Sequence, residues 1–200
     1  MASNEIESLT RLKDAFQTLP GVGARGAERM AFHVLRSSEA EARALADAIL
    51  AVKRDVFHCS VCYNLTEKNP CGICSDGRRD GAEIWVVEQP KDLMALEATG
   101  LVKGVYHVLL GHIAPLEGVE PGDLTIDALV KRVRKGGVRE VVLATNPTLE
   151  GDGTGLHIQS ALQDTGVTIT RPSRGLASGS PLEFASPAML EAAIRGRTKM

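Results

Sequence analysis

The sequence predicts a multi-domain α/β protein with a helical N-terminal segment, a small four-cysteine module, a parallel α/β sheet domain and a short C-terminal helix. Three observations support this prediction. Apolar residues recur at helical spacing up to about residue 57, all four cysteines lie between residues 59 and 74, and short apolar strands alternate with helices after residue 83. The composition, 44% apolar and 24% charged, is that of an ordinary globular protein.

Bulk properties limit where the chain works and what it binds. No apolar run approaches the roughly 20 residues that cross a bilayer, so we expect no membrane association. The N-terminal stretch "MASNEIESLTRLKDAF" carries acidic residues where a secretion signal has a basic head, which predicts a cytoplasmic protein. The formal net charge is −2, so any surface that binds nucleic acid must be a local one.

Three helices are predicted before residue 57. The first ends at Pro20-Gly21, a second apolar stripe begins at Ala27, and a capping box formed by Ser38 and Glu41 opens the third. The predicted apolar face of the first helix is Ile6, Leu9, Leu12, Phe16 and Leu19. The predicted buried face of the third is Ala42, Leu45, Ile49, Val52 and Val56.

The connection "LPGVGARGAERM" between the first two helices predicts a helix-hairpin-helix. Gly21 and Gly23 allow a tight turn that leaves backbone N–H groups free at the start of the next helix, where anions bind readily. Arg25 and Arg29 lie beside this point, so we expect contacts with a nucleic-acid backbone without base recognition. A plain helical turn is the alternative. Residues 1–55 contain eight basic and eight acidic residues, so one copy would bind weakly and an oligomer is predicted.

The stretch "CSVCYNLTEKNPCGIC" contains Cys59, Cys62, Cys71 and Cys74 in two C-x2-C pairs. Four thiolates in two turns match a closed structural Zn2+ site, which leaves no open position for catalysis. A disulfide pair is disfavoured in a reducing cytosol, and a redox motif would need only one of the two pairs. An iron–sulfur cluster also takes four thiolates and stays open as an alternative.

Strands and helices alternate from residue 83 onward, which predicts a parallel sheet with helices on its faces. Ligands of such sheets bind beyond the carboxyl ends of the strands, where Glu88 follows the first strand and Glu150 and Asp152 follow the third. These three carboxylates could hold Mg2+, or be solvated, or contact a partner. The glycine-rich "GDGTG" is expected to be a flexible loop, and no phosphate-binding P-loop motif is present.

The last 25 residues predict a loop rich in glycine, serine and proline, followed by a short helix that Ser186 caps with Pro187 at its first position. Such a short helix has no core of its own. It is expected to dock on its own chain or on a neighbouring subunit.

Taken in order, these segments closely resemble the family of the bacterial recombination mediator protein RecR. The resemblance covers nearly the whole chain and rests on "LPGVGARGAERMAFH", "HCSVCYNLTEKNPCGICSDGRRD", "VVEQPKDLMALEATG", "YHVLLG", "LATNPTLEGDGTGLHI" and "LEFASPAMLEAAIRGR". It implies a helix-hairpin-helix DNA-binding domain over 1–57, a four-cysteine zinc finger over 58–78, a Toprim domain over 81–175 and a C-terminal loop and helix over 176–200. Ala24 and Gly26 replace the family's usual proline and serine, which predicts a looser hairpin.

The resemblance also implies site residues, partners and the absence of enzymatic activity. The four cysteines match the zinc ligands, Arg25 stands where the family usually has a lysine, and Arg29 matches a nearby basic position. Glu88, Glu150 and Asp152 match the acidic Toprim positions, which in this family resemble partner or DNA contacts more than catalytic groups. Family members form DNA clamps, as dimers or tetrameric rings, and act with RecO, and in many bacteria RecF, to load RecA at single-stranded gaps.

Two other functions compete with this interpretation. A Mg-dependent Toprim nuclease or a small primase would need the acidic residues, since zinc and Toprim modules also occur together in primases. A protein-interaction adaptor would bind no DNA even at low salt.

Overall fold

The computed structural model describes residues 6–176, 179 and 181–197, and these form two compact units that divide after Val56. The remaining residues of the predicted first and last domains lie outside the described residues. The predicted fold class is confirmed: a helical first unit precedes a second unit that contains a four-stranded parallel sheet. None of the described helices is both long enough and apolar enough to span a bilayer.

The first unit consists of three helices. They are α1 (Glu7–Gln17), α2 (Ala24–Arg36) and α3 (Glu39–Asp55). Ala27 and Ala31 are fully buried, because small side chains let α2 pack closely on α1. The predicted capping box at the start of α3 is confirmed: the Ser38 hydroxyl accepts from the Glu41 N–H at 3.3 Å, and the Glu41 carboxylate accepts from the Ser38 N–H at 2.8 Å.

The prediction that the apolar face of α3 is buried is wrong for a single copy of the chain. Leu45, Ile49 and Val52 are 45%, 57% and 60% exposed, and no residue of α3 is buried. Helical periodicity predicts which face is apolar, but the described part of this three-helix unit contains no second layer to cover it.

The second unit begins with the cysteine module and continues into the sheet domain. The module contains β1 (Phe57–His58) paired antiparallel with β2 (Leu65–Thr66), followed by the short helix α4 (Gly72–Ser75). The parallel strands are β3 (Asp80–Val87), β4 (Gly104–Val108), β5 (Glu140–Leu143) and β6 (Thr168–Thr170), in the order β4-β3-β5-β6. The helices of this domain are α5 (Pro90–Glu97), α6 (Ile126–Arg134) and α7 (Leu149–Leu162).

Two apolar clusters enclose the sheet. One joins Ile84 and Val141 of the sheet to Leu129 of α6 and Ile158 of α7. The other joins strand and helix residues around α5 to two residues of the cysteine module: Val87, Leu93, Val102, Tyr106 and Val108, with Tyr63 and Ile73 packed against them. The sheet is therefore buried between helical and module layers, which fits the near-continuous apolar strands of the sequence.

The helix after β5 begins at Leu149 and includes "GDGTG" (residues 151–155), so the prediction that this segment is a flexible loop is wrong. Thr148 caps α7 by accepting a hydrogen bond from the Gly151 N–H at 3.1 Å. A Cβ at Gly151 would lie 2.1 Å from the Asn146 carbonyl oxygen. Glycine at this position therefore lets the first turn of α7 approach the loop before it closely.

The C-terminal helix α8 (Pro187–Arg195) forms where the sequence predicts it, capped by the Ser186 hydroxyl, which accepts from the Met189 N–H at 3.3 Å. Ala193 lies 3.8 Å from where a Cβ of Gly175 would be. In this structure α8 therefore contacts its own chain, the first of the two expected arrangements.

Candidate metal centre and nucleic-acid interface

The first pair of cysteines lies at the turn between β1 and β2. The Cys59 N–H donates to the Asn64 carbonyl oxygen at 2.8 Å, and the Tyr63 N–H donates to the Cys59 carbonyl oxygen at 2.9 Å. Tyr63 has a φ of 62°, the left-handed conformation that closes this turn. Both Cys59 and Cys62 are fully buried, which directs their sulfurs to the interior of the module.

The second pair lies at the start of α4. Cys71 is the N-cap residue, its carbonyl accepts from the Ser75 N–H at 3.0 Å, and Cys74 follows in the same turn. The Asn69 side-chain oxygen accepts from the N–H and the hydroxyl of Ser60, at 2.9 and 2.8 Å. These hydrogen bonds tie the loop before the second pair to the turn of the first.

The four cysteine sulfurs converge on one point, all within 4.8 Å of one another. The sulfurs of Cys62 and Cys71 are 3.5 Å apart, close to the roughly 3.8 Å expected for a tetrahedral zinc site with bonds of about 2.3 Å. Within the described ranges, no other group of three or more potential ligands is this close. His58 is not among them, and its Nδ1 lies 3.0 Å from the Tyr63 carbonyl oxygen.

The crowding and burial of the four cysteines shift the ionisation of their thiols in different directions. Burial raises the pKa of the Cys59 thiol, but hydrogen bonds from the N–H groups of Cys71, Cys62 and Val61 outweigh it and lower the pKa to about 6. The hydrogen bond with Cys74, together with burial, raises the pKa of the Cys62 thiol far above its usual range. Four sulfurs this close cannot all be thiolates by themselves, whereas a divalent cation among them stabilises every one.

The predicted hairpin lies between α1 and α2. Gly21 has a φ of 78°, the left-handed conformation that the sharp turn requires, and Gly23 is the N-cap of α2 without a side chain to cap it. The first N–H groups of a helix have no partner within the helix, and no acidic residue lies in the first turn of α2. The turn therefore presents free backbone donors at the positive end of the helix dipole.

Arg25 and Arg29 are both exposed, one turn apart on α2. Neither has a carboxylate within ion-pair distance in the described part of the chain. Together with the amides after Gly23, their guanidinium groups can contact successive phosphates of a nucleic-acid backbone.

Glu88 follows β3 as predicted, but its carboxylate is buried and already engaged. One oxygen accepts from the Asn146 backbone N–H at 2.8 Å, and the other accepts from the Asn146 side-chain amide at 2.7 Å. His112 Nδ1 lies 3.1 Å from the second oxygen. With an exposed fraction of 3%, Glu88 joins the ends of β3 and β5 to the loop after β4.

The other two acidic candidates lie in the first turn of α7 and face different surroundings. Asp152 accepts hydrogen bonds from both terminal nitrogens of Arg174 and lies 3.4 Å from Arg171, and the Arg174 hydrogen bonds hold the pKa of this carboxyl below its usual range. Glu150 is exposed. In the described residues these carboxylates do not form a cluster of metal ligands with Glu88, so the structure does not support Mg2+ binding, one of the three alternatives that the sequence left open.

Four residues at these sites were not predicted. Asn146, His112 and Arg174 contact the acidic side chains, and Arg132 of α6 lines a cavity with Ser60, Val61 and Tyr63 of the cysteine module. Asn146 could have been found, since it follows β5 at the same sheet edge as Glu88. Arg132 is part of the regular apolar and basic pattern of α6, and nothing in the sequence relates it to the cysteines.

Comparisons with known proteins match each module of the chain. Family models match residues 9–53 as the RecR helix-hairpin-helix, residues 56–76 as the RecR four-cysteine zinc finger domain and residues 82–172 as a Toprim domain. The Recombination protein RecR of Rhodopirellula baltica is 52% identical over 198 residues, covering 99% of this chain and 100% of that protein.

Two further relatives carry the same name. The Recombination protein RecR of Geobacter sulfurreducens is 48% identical, covering 97% of this chain and 98% of that protein. The one of Chloroflexus aggregans is 48% identical, covering 96% of this chain and 94% of that protein. Identity at this level over nearly the full length, together with all three modules in order, leads to one conclusion: the chain belongs to the RecR family of recombination proteins.

Proposed function

We propose that this chain is a non-enzymatic recombination mediator that binds the DNA backbone through the hairpin of its first unit. The observation that carries the proposal is the start of α2, where an uncapped helix end lies beside two exposed arginines without carboxylate partners. Such a surface binds phosphates of either single- or double-stranded DNA without recognising bases.

The four cysteines would hold one structural Zn2+ ion in the second unit. A closed site with four thiolates offers no open coordination position, so the ion would stabilise the module and supply no catalysis. A module of this size contains too few apolar residues to fold by its own core, and the metal supplies the missing stabilisation.

Several copies would act together as a dimer or a tetrameric ring around DNA. Residues 1–55 carry no net charge, so a single hairpin would have a low affinity for DNA. Several hairpins bound to the same DNA would reach a much higher combined affinity. The exposed apolar side chains of α2 and α3, such as Leu35 and Ile49 at 62% and 57% exposure, support an association between copies. In the cytoplasm the assembly would act with RecO, and with RecF as a further partner, to promote RecA loading at single-stranded gaps.

The Toprim acidic residues would have structural or partner-binding roles. Glu88 is buried with both oxygens occupied, and Asp152 is paired with Arg174, which supports a role without divalent metal.

The proposal is tested by measuring DNA affinity of the double variant Arg25→Ala/Arg29→Ala against salt concentration. Fluorescence anisotropy with a labelled single strand and a labelled gapped duplex, over a range of salt concentrations, gives both affinity and its salt dependence. We expect weaker binding to both DNAs. The slope of log K against log salt should be smaller in magnitude by about 1 to 2, because a protein that contacts fewer phosphates releases fewer counterions when it binds.

Arg43→Ala is the matched control, since it removes an exposed arginine of α3 that is paired with Glu39 in the same unit. It should leave the slope unchanged. An unchanged affinity and slope in the double variant would contradict the hairpin assignment, and cleavage of the labelled DNA in Mg2+ or Mn2+ would contradict the absence of catalysis.

A further inference from the structure

Strand β4 is at the edge of the sheet, yet several of its backbone groups have partners outside the sheet. The Val108 N–H donates to the Cys62 carbonyl oxygen at 2.8 Å, and the Val108 carbonyl accepts from the Thr125 hydroxyl at 2.7 Å. The Tyr106 carbonyl accepts from Arg132 Nη1 at 2.8 Å. An edge strand with open groups is a site for unwanted strand pairing, and these three contacts protect the part of the edge around Tyr106 and Val108.

The cysteine module supplies one of these contacts and packs on the same strand. The Tyr63 ring meets the His107 ring edge-on with centroids 5.4 Å apart, and Tyr63 and Ile73 pack against the apolar cluster that includes Tyr106 and Val108. The turn that holds Cys62 is therefore also the cap of the β4 edge.

Arg132 contributes another of these contacts from helix α6. It lines a cavity of about 270 Å³ together with Ser60, Val61 and Tyr63, the residues that flank Cys62. Burial lowers the pKa of the Arg132 guanidinium, and the charges of the four cysteine sulfurs oppose that shift. In the part of the chain that the structure describes, no carboxylate lies within ion-pair distance of Arg132.

The half-buried guanidinium of Arg132 and a negatively charged metal centre would compensate each other's charge. A guanidinium that is partly withdrawn from water is stabilised by a counter-charge, and among the described residues no carboxylate provides one. A Zn2+ ion held by four thiolates carries a net negative charge, because the thiolates outweigh the ion, and it needs a cation nearby. Groups just outside a metal's ligands commonly tune its binding in this way.

We propose that Arg132 is the counter-charge of the metal centre and joins it to the β4 edge, so that metal binding and closure of this edge occur together. The inference rests on the proposed zinc site. Arg132 is a positioning residue: its guanidinium stabilises the thiolates by charge and holds the Tyr106 carbonyl by a hydrogen bond.

The test compares full-length Arg132→Met, Arg132→Lys and Arg134→Met proteins. Arg134 lies on the same helix but is exposed and paired with Asp164, which makes it the matched control. Zinc loss to a colorimetric chelator is followed at neutral pH, and hydrogen exchange of the Val108 amide is followed by NMR. We expect Arg132→Met to weaken zinc retention by about 10-fold to 100-fold and to speed exchange at Val108. Arg132→Lys should restore part of the retention, and Arg134→Met should change neither.

A folded Arg132→Met protein that retains zinc as well as Arg134→Met does would overturn the inference. If Arg132→Met does not fold, zinc retention is measured on Arg132→Lys and hydrogen exchange on the wild type. Removal of zinc from the wild type by the chelator must then speed amide exchange at Val108 more than at Val142 in the sheet centre. Equal protection before and after chelation overturns the coupling. If the native wild type contains no zinc, the proposed zinc site itself is wrong. If the wild type contains zinc and the Arg132 variants retain it equally well, only this inference is wrong.

Discussion

Glu88 carries a buried carboxylate, and all of its described partners lie far away in sequence. Asn146 donates two hydrogen bonds to it from 58 residues away, and His112 contacts it from 24 residues away. The strand order β4-β3-β5 places the loops after all three strands beside one another, so one side chain connects them. At this position the carboxylate acts as a structural acceptor.

We predict that Glu88→Ala lowers the unfolding free energy of the protein and has no effect that depends on a divalent metal. The substitution leaves two Asn146 donors without an acceptor in a buried site, which costs about 1 to 3 kcal/mol of unfolding free energy. Urea unfolding followed by circular dichroism measures the difference. Glu150→Ala, which removes an exposed carboxylate from the same region, should stay within about 0.5 kcal/mol of the wild type. Equal stability of the two variants would contradict the structural role of Glu88.

The position of Glu88 could be predicted, but its partners could not. A residue that follows a buried strand lies at the carboxyl edge of a parallel sheet, and this much is visible in the sequence. The neighbours of that residue depend on the order of the strands, which no local pattern contains. In the same way, the grouping of Cys59, Cys62, Cys71 and Cys74 was evident from their spacing. Arg132, which shares a cavity with Ser60, Val61 and Tyr63, was not, because that contact depends on the fold.

At the scale of elements, the turn between α1 and α2 depends on two glycines in different ways. Gly21 has a φ of 78°, whereas Gly26 lies in the first turn of α2 with only Val22 near its Cα, 3.6 Å from an added Cβ. The family resemblance predicts a looser hairpin because Ala24 and Gly26 replace the usual proline and serine. A glycine at position 26 also makes the unfolded state more favourable, because it increases the conformational freedom of the unfolded chain.

We therefore predict opposite effects of two alanine substitutions. Gly26→Ala should raise the unfolding free energy by about 0.4 to 1 kcal/mol, since the site tolerates a methyl group. Gly21→Ala should lower it by about 1 to 2 kcal/mol because alanine is strained in the left-handed conformation. Urea unfolding of both variants measures the difference. Shifts of the same sign would show that the turn does not have this conformation in solution.

Elements with strong local signals were predicted well, and two features were not. Capping residues such as Ser38 and Ser186 marked the starts of α3 and α8, because a cap is a local interaction. The start of α7 was missed because Gly151 and Gly155 weaken helical propensity. The contacts that require glycine at 151 include a tertiary one, since an added Cβ would lie 2.7 Å from Glu88 Oε1. Burial of the α3 face was predicted from periodicity, which contains no information about a covering surface.

For the whole molecule, the order of the three modules was predictable from the sequence. The net charge of −2 provides no general attraction for DNA, so the proposed DNA binding would depend on the local surface at Arg25 and Arg29. The number of copies, and the partner proteins that the family resemblance implies, depend on surfaces between chains. The sequence of one chain contains no pattern that describes such surfaces.

The metal content of the native protein is the decisive measurement, because the cysteine module is the proposed metal site and also contacts the β4 edge through the Cys62 carbonyl. Elemental analysis of protein purified under reducing conditions should find about one zinc per chain, as a single four-thiolate site requires. A chain that carries no zinc, iron or other metal, yet keeps its fold and its DNA binding, would contradict the account.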